Sequence, residues 1–265
     1  MSPSIIPANR LKKILHEGKS AIGTMIVEIR QPSVMQVMAN AGLDFVIIDN
    51  EHGAFNIETI CDLSRAARQV GVTPVVRVPE WSYAHIVQPL DAGAQAIMAP
   101  RITEPGQVKE ILQMMKYPPL GRRGSVVARG HTDLKSGSIV DTMRDANEES
   151  MLVVQIETKQ ALERVDEILS VEGVNVALVG PTDLSVALGI AGKMTDTVLV
   201  SAISSVIEAC RRHQVFPAIH MNDLTLASHW ATKGMRLVSF NSEVGMLTQA
   251  AAGAAATIAE AMGRG

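Results

Sequence analysis

Eight apolar runs, each followed by a segment of helical period, restrict the fold more than anything else in the chain. The runs are residues 21–27, 45–48, 74–78, 96–99, 151–156, 174–179, 215–219 and 236–240. The helical segments are 31–41, 57–70, 83–92, 104–115, 159–169, 197–213, 223–232 and 244–262, with a loop ahead of the sixth. The runs are unbroken rather than alternating, as expected of strands covered on both faces. Gly42, Gly71, Gly93, Gly173 and Gly234 each close a helical segment ahead of a strand, the position where left-handed geometry is common. This grammar predicts a closed parallel α/β barrel. An open doubly wound sheet is the alternative, because spacing does not show closure, but no GxGxxG follows the first run. Such barrels use roughly 250 residues as one domain, so residues 1–265 read as a single domain.

One segment departs from the repeat. Residues 118–150 carry Pro-Pro, a Gly-Arg-Arg-Gly turn and a charged stretch, with a short helix expected near 139–150. Lying between the fourth and fifth strands, this segment is expected to cover the C-terminal mouth of the barrel. Residues 9–17 have helical period and are expected to plug the lower end. The alanine-rich stretch 248–262 has little polar surface and is expected to pack against another chain.

A net charge of −3 and a pI near 6.2 give no pull toward nucleic acid or an anionic membrane. Cys61 and Cys210 read as buried unpaired thiols, which suits a reducing cytoplasm. The first ten residues lack the apolar core of a signal peptide, and no stretch approaches the roughly 18 apolar residues of a membrane span. A soluble cytoplasmic protein is expected.

In a parallel barrel the chemistry gathers at strand C-termini. Those ends carry Asp49, Glu51 and His52 after the second run, Arg77 at the third, Gln155 and Glu157 at the fifth, and Gly180-Pro181-Thr182-Asp183 after the sixth. Charge so placed requires pairing or a metal. Glu157 and Asp183, at adjacent strand ends, suit Mg2+ or Mn2+ with open positions for a chelating substrate; as an alternative they are surface acids, Asp183 capping the helix that follows. His52 reads as a general base or as a hydrogen-bonded structural histidine. Arg77 reads as a stabiliser of an enolate or carboxylate, a role compatible with an ion pair to Asp49 or Glu51. Arg122 and Arg123 read as solvated charges on a turn. His131 and His220 are weaker candidates, and the remaining histidines fall in helical stretches.

Taken together, Asp49-Asn50-Glu51-His52-Gly53, Pro74-Val75-Val76-Arg77, Pro118-Pro119-Leu120-Gly121-Arg122-Arg123-Gly124, Gln155-Ile156-Glu157-Thr158 and Gly180-Pro181-Thr182-Asp183-Leu184-Ser185 resemble the HpcH/HpaI class II aldolases. The likeness runs from about Leu11 to the C-terminus, in order. It implies a (β/α)8 barrel of the phosphoenolpyruvate/pyruvate type and cleavage of 4-hydroxy-2-oxo acids to pyruvate and an aldehyde. It implies a divalent metal (Mg2+, Mn2+ or Co2+) at Glu157 and Asp183, with Gln155, Asp183 and the backbone around Thr182 against the 2-oxo acid. Arg77 would stabilise the enolate and His52 would act as base, made more basic by Asp91 of a neighbouring subunit. Asp49, Glu51 and Arg123 complete the implied site. The resemblance also implies a hexamer built from dimers with exchanged C-terminal helices.

The chain departs from that pattern twice. Thr182 stands where alanine is common, and residues 130–135 lack the aromatic, arginine-containing loop of the aldolases of aromatic degradation. Relatives that condense an acetyl thioester or an oxaloacetate-derived enolate form the alternative reading. Some metal-independent synthases lack the carboxylate pair that is present here. A barrel kept only as a binding module would need a degraded site, and Asp49, His52, Arg77, Glu157 and Asp183 are all in place.

Overall fold

The computed structural model describes residues 4–264, so the readings over 1–10 and 1–265 extend beyond the described residues. Eight strands carry the apolar runs: β1 (Ala21–Ile26), β2 (Phe45–Asp49), β3 (Thr73–Arg77), β4 (Ala96–Ala99), β5 (Met151–Ile156), β6 (Val174–Val179), β7 (Phe216–Met221) and β8 (Leu237–Ser242). They pair in parallel in chain order, and β8 closes on β1. Closure rules out the open sheet.

Helix α1 (Arg10–His16) precedes the barrel. Helices α2 (Val34–Asn40), α3 (Ile57–Gln69), α4 (Tyr83–Ala92) and α5 (Pro105–Met115) follow the first four strands, and α6 (Ile139–Glu149) leads into β5. The segment 159–169 is two helices, α7 (Lys159–Glu163) and α8 (Val165–Leu169), because the chain leaves helical geometry at Arg164. The supposed loop after β6 contains α9 (Pro181–Ala187), started by Pro181 at its first turn. Helices α10 (Thr197–His213), α11 (Leu224–Thr232) and α12 (Glu243–Ala261) complete the ring. All five glycines expected to end helices have positive φ, from 77° at Gly71 to 119° at Gly93.

The register sorts the inward side chains into layers. Met25 is level with Ile47, and Ile47 with Val75, so the tilt of the strands brings Arg77 into the layer of Met25. The same two-residue step on alternate strands adds Gln155 and His220. The uppermost layer is therefore Met25, Arg77, Gln155 and His220. Ile47, Met98, Leu178 and Ser239 lie beneath it, then Gly23, Val75, Val153 and Ala218, then Phe45, Ala96, Val176 and Leu237. Leu11 and Leu15 of α1 join this inner cluster from below, which is the expected plug.

Gly23 has a steric reason. A Cβ there would lie 2.6 Å from the Phe45 ring and 2.6 Å from its carbonyl oxygen, so backbone as well as side chain would have to move. Gly23→Ala is expected to destabilise the protein by about 1–3 kcal/mol. Urea unfolding should show it as a lower midpoint at unchanged slope.

The segment 118–150 does not cover the mouth. Helix α5 has already carried the chain back to the N-terminal rim, so the segment is an αβ connection and belongs to the lower face. Its contacts confirm this. Lys116 Nζ donates to the Ser150 carbonyl just before β5, Asn9 Nδ2 donates to the carbonyls of Gln95 and Glu149, and Arg68 at the end of α3 donates to Gly130. Arg123 is not a solvated turn residue. It is 3% exposed, bonded to Asp91 near the end of α4 and stacked over the Tyr117 ring at 4.5 Å. Arg122 is exposed, as expected.

Helix α12 presents Leu247 and Ile258 to solvent, as does its C-cap residue Met262, and only Glu243 on the helix is buried. The Glu243 carboxylate accepts the N–H groups of Val27, Glu28 and Ile29, fixing the turn after β1. Cys61 and Cys210 are free thiols, Cys210 buried and Cys61 partly so. Among the described residues no helix is long and apolar enough to cross a membrane.

Candidate active site

A cavity of about 540 Å3 opens at the C-terminal mouth. Arg77, Gln155 and His220 of the uppermost layer form its floor, with Met25, and Thr182, Asp183 and His52 stand on its walls. Asp91 and Arg123 lie on the opposite rim of the same chain, so they cannot reach this mouth.

Arg77 is clamped rather than free. Its Nε and Nη2 donate to the two oxygens of Asp49 at 2.8 and 2.6 Å, and both residues are buried. Burial pushes the Asp49 carboxyl up, but the guanidinium and the N–H groups of Glu51 and His52 outweigh it and hold the group below its ordinary range. Burial likewise disfavours the Arg77 cation, and the charges of Asp49, Glu51 and Glu157 reverse the sign. Asp49 Oδ1 accepts the N–H of Glu51 at 3.0 Å and of His52 at 3.3 Å. One carboxylate thus keys both the guanidinium and the turn that carries His52.

Glu51 bridges Arg77 Nη1 at 3.3 Å and Arg101 Nη2 at 3.2 Å. The His52 ring lies 3.9 Å from Glu51 and its side chain is 71% exposed, so it is no buried structural histidine. The ion pairs weighed for Arg77 both form, and its charge still faces the cavity.

Glu157 is 4% exposed. Its Oε1 accepts the Arg101 backbone N–H at 2.7 Å, and its Oε2 accepts from Gln155 Nε2. Arg101 holds a φ of 54°, a conformation that side-chain-bearing residues rarely adopt, and this aims its amide at the carboxylate. Burial pushes the Glu157 carboxyl up, and the negative charges of Glu51 and Asp183 add to the rise against the Arg101 amide and Arg77. Asp183 sits in the first turn of α9, exposed on the cavity wall. The helix has Gly180 as its N-cap and no side-chain cap, so the capping alternative is not realised. Gly180 gives Glu157 its room, since a Cβ there would come within 2.9 Å of Glu157 Oε2 and 3.1 Å of Gln155 Nε2. Gln155 Oε1 is buried without a hydrogen-bond partner.

Two contributors escaped the strand-end reading: Arg101, which acts through its backbone, and Ser239, whose Oγ lies 2.9 Å from Nδ1 of His220, the weaker strand-end candidate that here forms part of the floor. His131 is buried on the lower face with both ring nitrogens unpartnered, outside this site.

The model of the HpcH/HpaI aldolase/citrate lyase family matches residues 24–250. The chain is 34% identical over 203 residues to the hydroxypyruvate/pyruvate aldolase of Agrobacterium fabrum, covering 76% of this chain and 75% of that one. It is 32% identical to a 4-hydroxy-2-oxo-heptane-1,7-dioate aldolase of Escherichia coli over 94% of each chain. It is also similar to the crystal structure of the HpcH/HpaI aldolase from Desulfitobacterium hafniense DCB-2, with a TM-score of 0.91 at 33% identity over 96% of this chain and 98% of that one.

Proposed function

We propose, from the premise that this chain belongs to the HpcH/HpaI aldolase/citrate lyase family, that it cleaves and forms 4-hydroxy-2-oxo acids through the enolate of pyruvate. It is an enzyme, a carbon–carbon lyase of the aldolase kind. The observation that carries the reading is a cavity lined by Asp183 and by a guanidinium locked to Asp49, with the Glu157 carboxylate buried against Gln155 and Gly180 of that lining and close enough to feel the charge of Asp183.

Glu157 and Asp183 would hold a divalent cation, Mg2+, Mn2+ or Co2+. The fit rests on Glu157, a buried carboxylate beside two others, whose charge a cation would compensate. Gln155 Oε1, a buried acceptor without a donor, marks the same spot as built for further occupants. Two protein carboxylates would leave the remaining positions of such a cation to water and substrate oxygens. When bound, the cation supplies Lewis acidity toward the 2-oxo group.

The chain's own groups do the rest. Gln155 and the turn at Thr182 position the oxo acid. His52 takes the proton of the 4-hydroxyl as the C3–C4 bond breaks, and that bond's electron pair enters the pyruvate enolate. Arg77 stabilises the enolate oxygen, its orientation fixed by Asp49. In the addition direction a C3–H bond of pyruvate breaks, its proton going to the base and its electron pair into the enolate; C3 then attacks the aldehyde carbon and His52 gives a proton to the new alkoxide. Among the described residues no lysine lines the cavity, which disfavours a Schiff-base route.

In this reading Asp91 and Arg123 serve the mouth of a neighbouring copy. The hexamer with exchanged C-terminal helices is proposed on the exposed apolar residues of α12. A single domain and a cytoplasmic location complete the proposal, the latter resting on two free thiols.

Proton NMR of pyruvate in deuterated buffer tests the chemistry before any aldehyde is known. Methyl exchange is expected with Mg2+ or Mn2+ and not after chelation. No exchange in either state would overturn the reading in favour of a thioester-condensing synthase.

A further inference from the structure

Glu243 is the buried residue of α12, and the mechanism above does not use it. It is the first residue of that helix, just after β8, and a bulge aims it. Gly23 pairs with Ser239 and Met25 with Ser242, so three steps along β8 match two along β1. The extra residue is taken up beside Asn241, which holds a φ of 53°. The side chain of Glu243 is thereby turned toward the chain leaving β1. There its two oxygens accept the N–H groups of Val27, Glu28 and Ile29 at 2.7 to 3.0 Å.

A turn that presents three successive N–H groups needs an acceptor, and a buried carboxylate needs donors; each answers the other. What this turn touches is the loop that carries His52. Residues 50–54 pass so close that a Cβ on Gly53 would lie 3.1 Å from the Val27 carbonyl oxygen and would collide with that of Asp49. Arg30 Nη2 donates to the Ala54 carbonyl at 3.0 Å. Glu51 stands 3.9 Å from the His52 ring, beyond hydrogen-bond reach, so the ring is placed by its backbone. Asp49 holds the start of that backbone through the N–H groups of Glu51 and His52, and residues 27–30 support its far end.

We infer that Glu243 is a positioning residue for His52: by fixing residues 27–30 it holds the loop that sets the base against the 4-hydroxyl. This rests on the aldolase reading above, in which His52 takes that proton. Through Glu243 the C-terminal helix, otherwise largely exposed, is tied to the mouth of the barrel.

A double-mutant cycle separates positioning from general support of the fold. Glu243→Gln, His52→Ala and the double variant are compared with wild type in Mg2+-dependent cleavage, followed as released pyruvate. The substrate is the better cleaved of 4-hydroxy-2-oxopentanoate and 4-hydroxy-2-oxoheptane-1,7-dioate. Glutamine offers the three N–H groups one oxygen and turns an NH2 group among them. In Glu243→Gln kcat is expected to fall about tenfold, with KM and Mn2+ affinity little changed. In the His52→Ala background the same exchange is expected to cost less than about twofold, because no base is left to misplace. A base contributes on the order of 10²- to 10⁴-fold, so the residual rate of His52→Ala is read at higher enzyme concentration. A merely structural glutamate would slow both backgrounds equally; that outcome, or an unchanged kcat, would overturn the inference. Glu243→Asp carries the same cycle if the glutamine variant does not fold. A wild type that cleaves, with additive losses in the variants, removes this inference alone. A wild type that cleaves neither substrate removes the aldolase reading and takes the inference along.

Discussion

An Arg77→Ala enzyme is expected to lose roughly 10²- to 10³-fold in kcat, the size of effect seen when one preorganised donor to a developing oxyanion is removed. The same change leaves Asp49, 2% exposed, as an uncompensated buried carboxylate, and a stability loss of about 3–5 kcal/mol is expected with it. The two effects separate with Arg77→Lys. Lysine keeps the charge but cannot make the paired bonds now running from Nε and Nη2 to the two Asp49 oxygens. If Arg77 acts on the enolate, the lysine enzyme regains much of the stability yet little of the turnover, while metal affinity changes little in either variant. Isothermal titration with Mn2+ alongside steady-state rates checks this. Equal losses of metal affinity and turnover would sink the assigned role.

Glu157→Gln has the larger effect on activity and the opposite effect on the metal-free fold. A carboxyl whose pKa is raised on folding is favoured when protonated, so its ionised form subtracts stability. That loss sets in as the pH rises through the unfolded value toward the folded one and persists above it. Glutamine removes it, and the metal-free variant is expected to melt no lower than the metal-free wild type at neutral pH. Added Mn2+ is expected to raise the melting temperature of the wild type, by linkage, and to leave the variant where it was. Metal-dependent pyruvate exchange is expected to fall to background. A variant that still gains stability from Mn2+ would place the cation elsewhere.

Much of this was legible in the sequence because a parallel barrel turns order along the chain into position in space. Apolar runs gave the strands, glycines the helix ends, and strand C-termini the residues that meet in the cavity. The segment 118–150 was misplaced for an identifiable reason. It follows a helix, and a chain that has passed through the helix has already returned to the lower rim. Arg123 was misread with it, since a Gly-Arg-Arg-Gly turn looks solvated until Tyr117 and Asp91 close around one of the two arginines. His220 needed the register. Only the two-residue step from Met25 through Arg77 and Gln155 shows that it shares their layer, and side-chain patterns carry no register between distant strands.

The amide of Arg101, held at φ 54° against Glu157, separates two things usually tied together at a catalytic centre. The contact belongs to the main chain, so it survives almost any exchange of side chain; only proline, which has no N–H, forfeits it. Glycine there would relax the backbone and keep the bond. The arginine itself, 62% exposed and paired with Glu51 at 3.2 Å, contributes little to stability. Position 101 can therefore drift through evolution, changing the charge and reach of the rim beside the cavity from one descendant to the next. The carboxylate beneath it need never move.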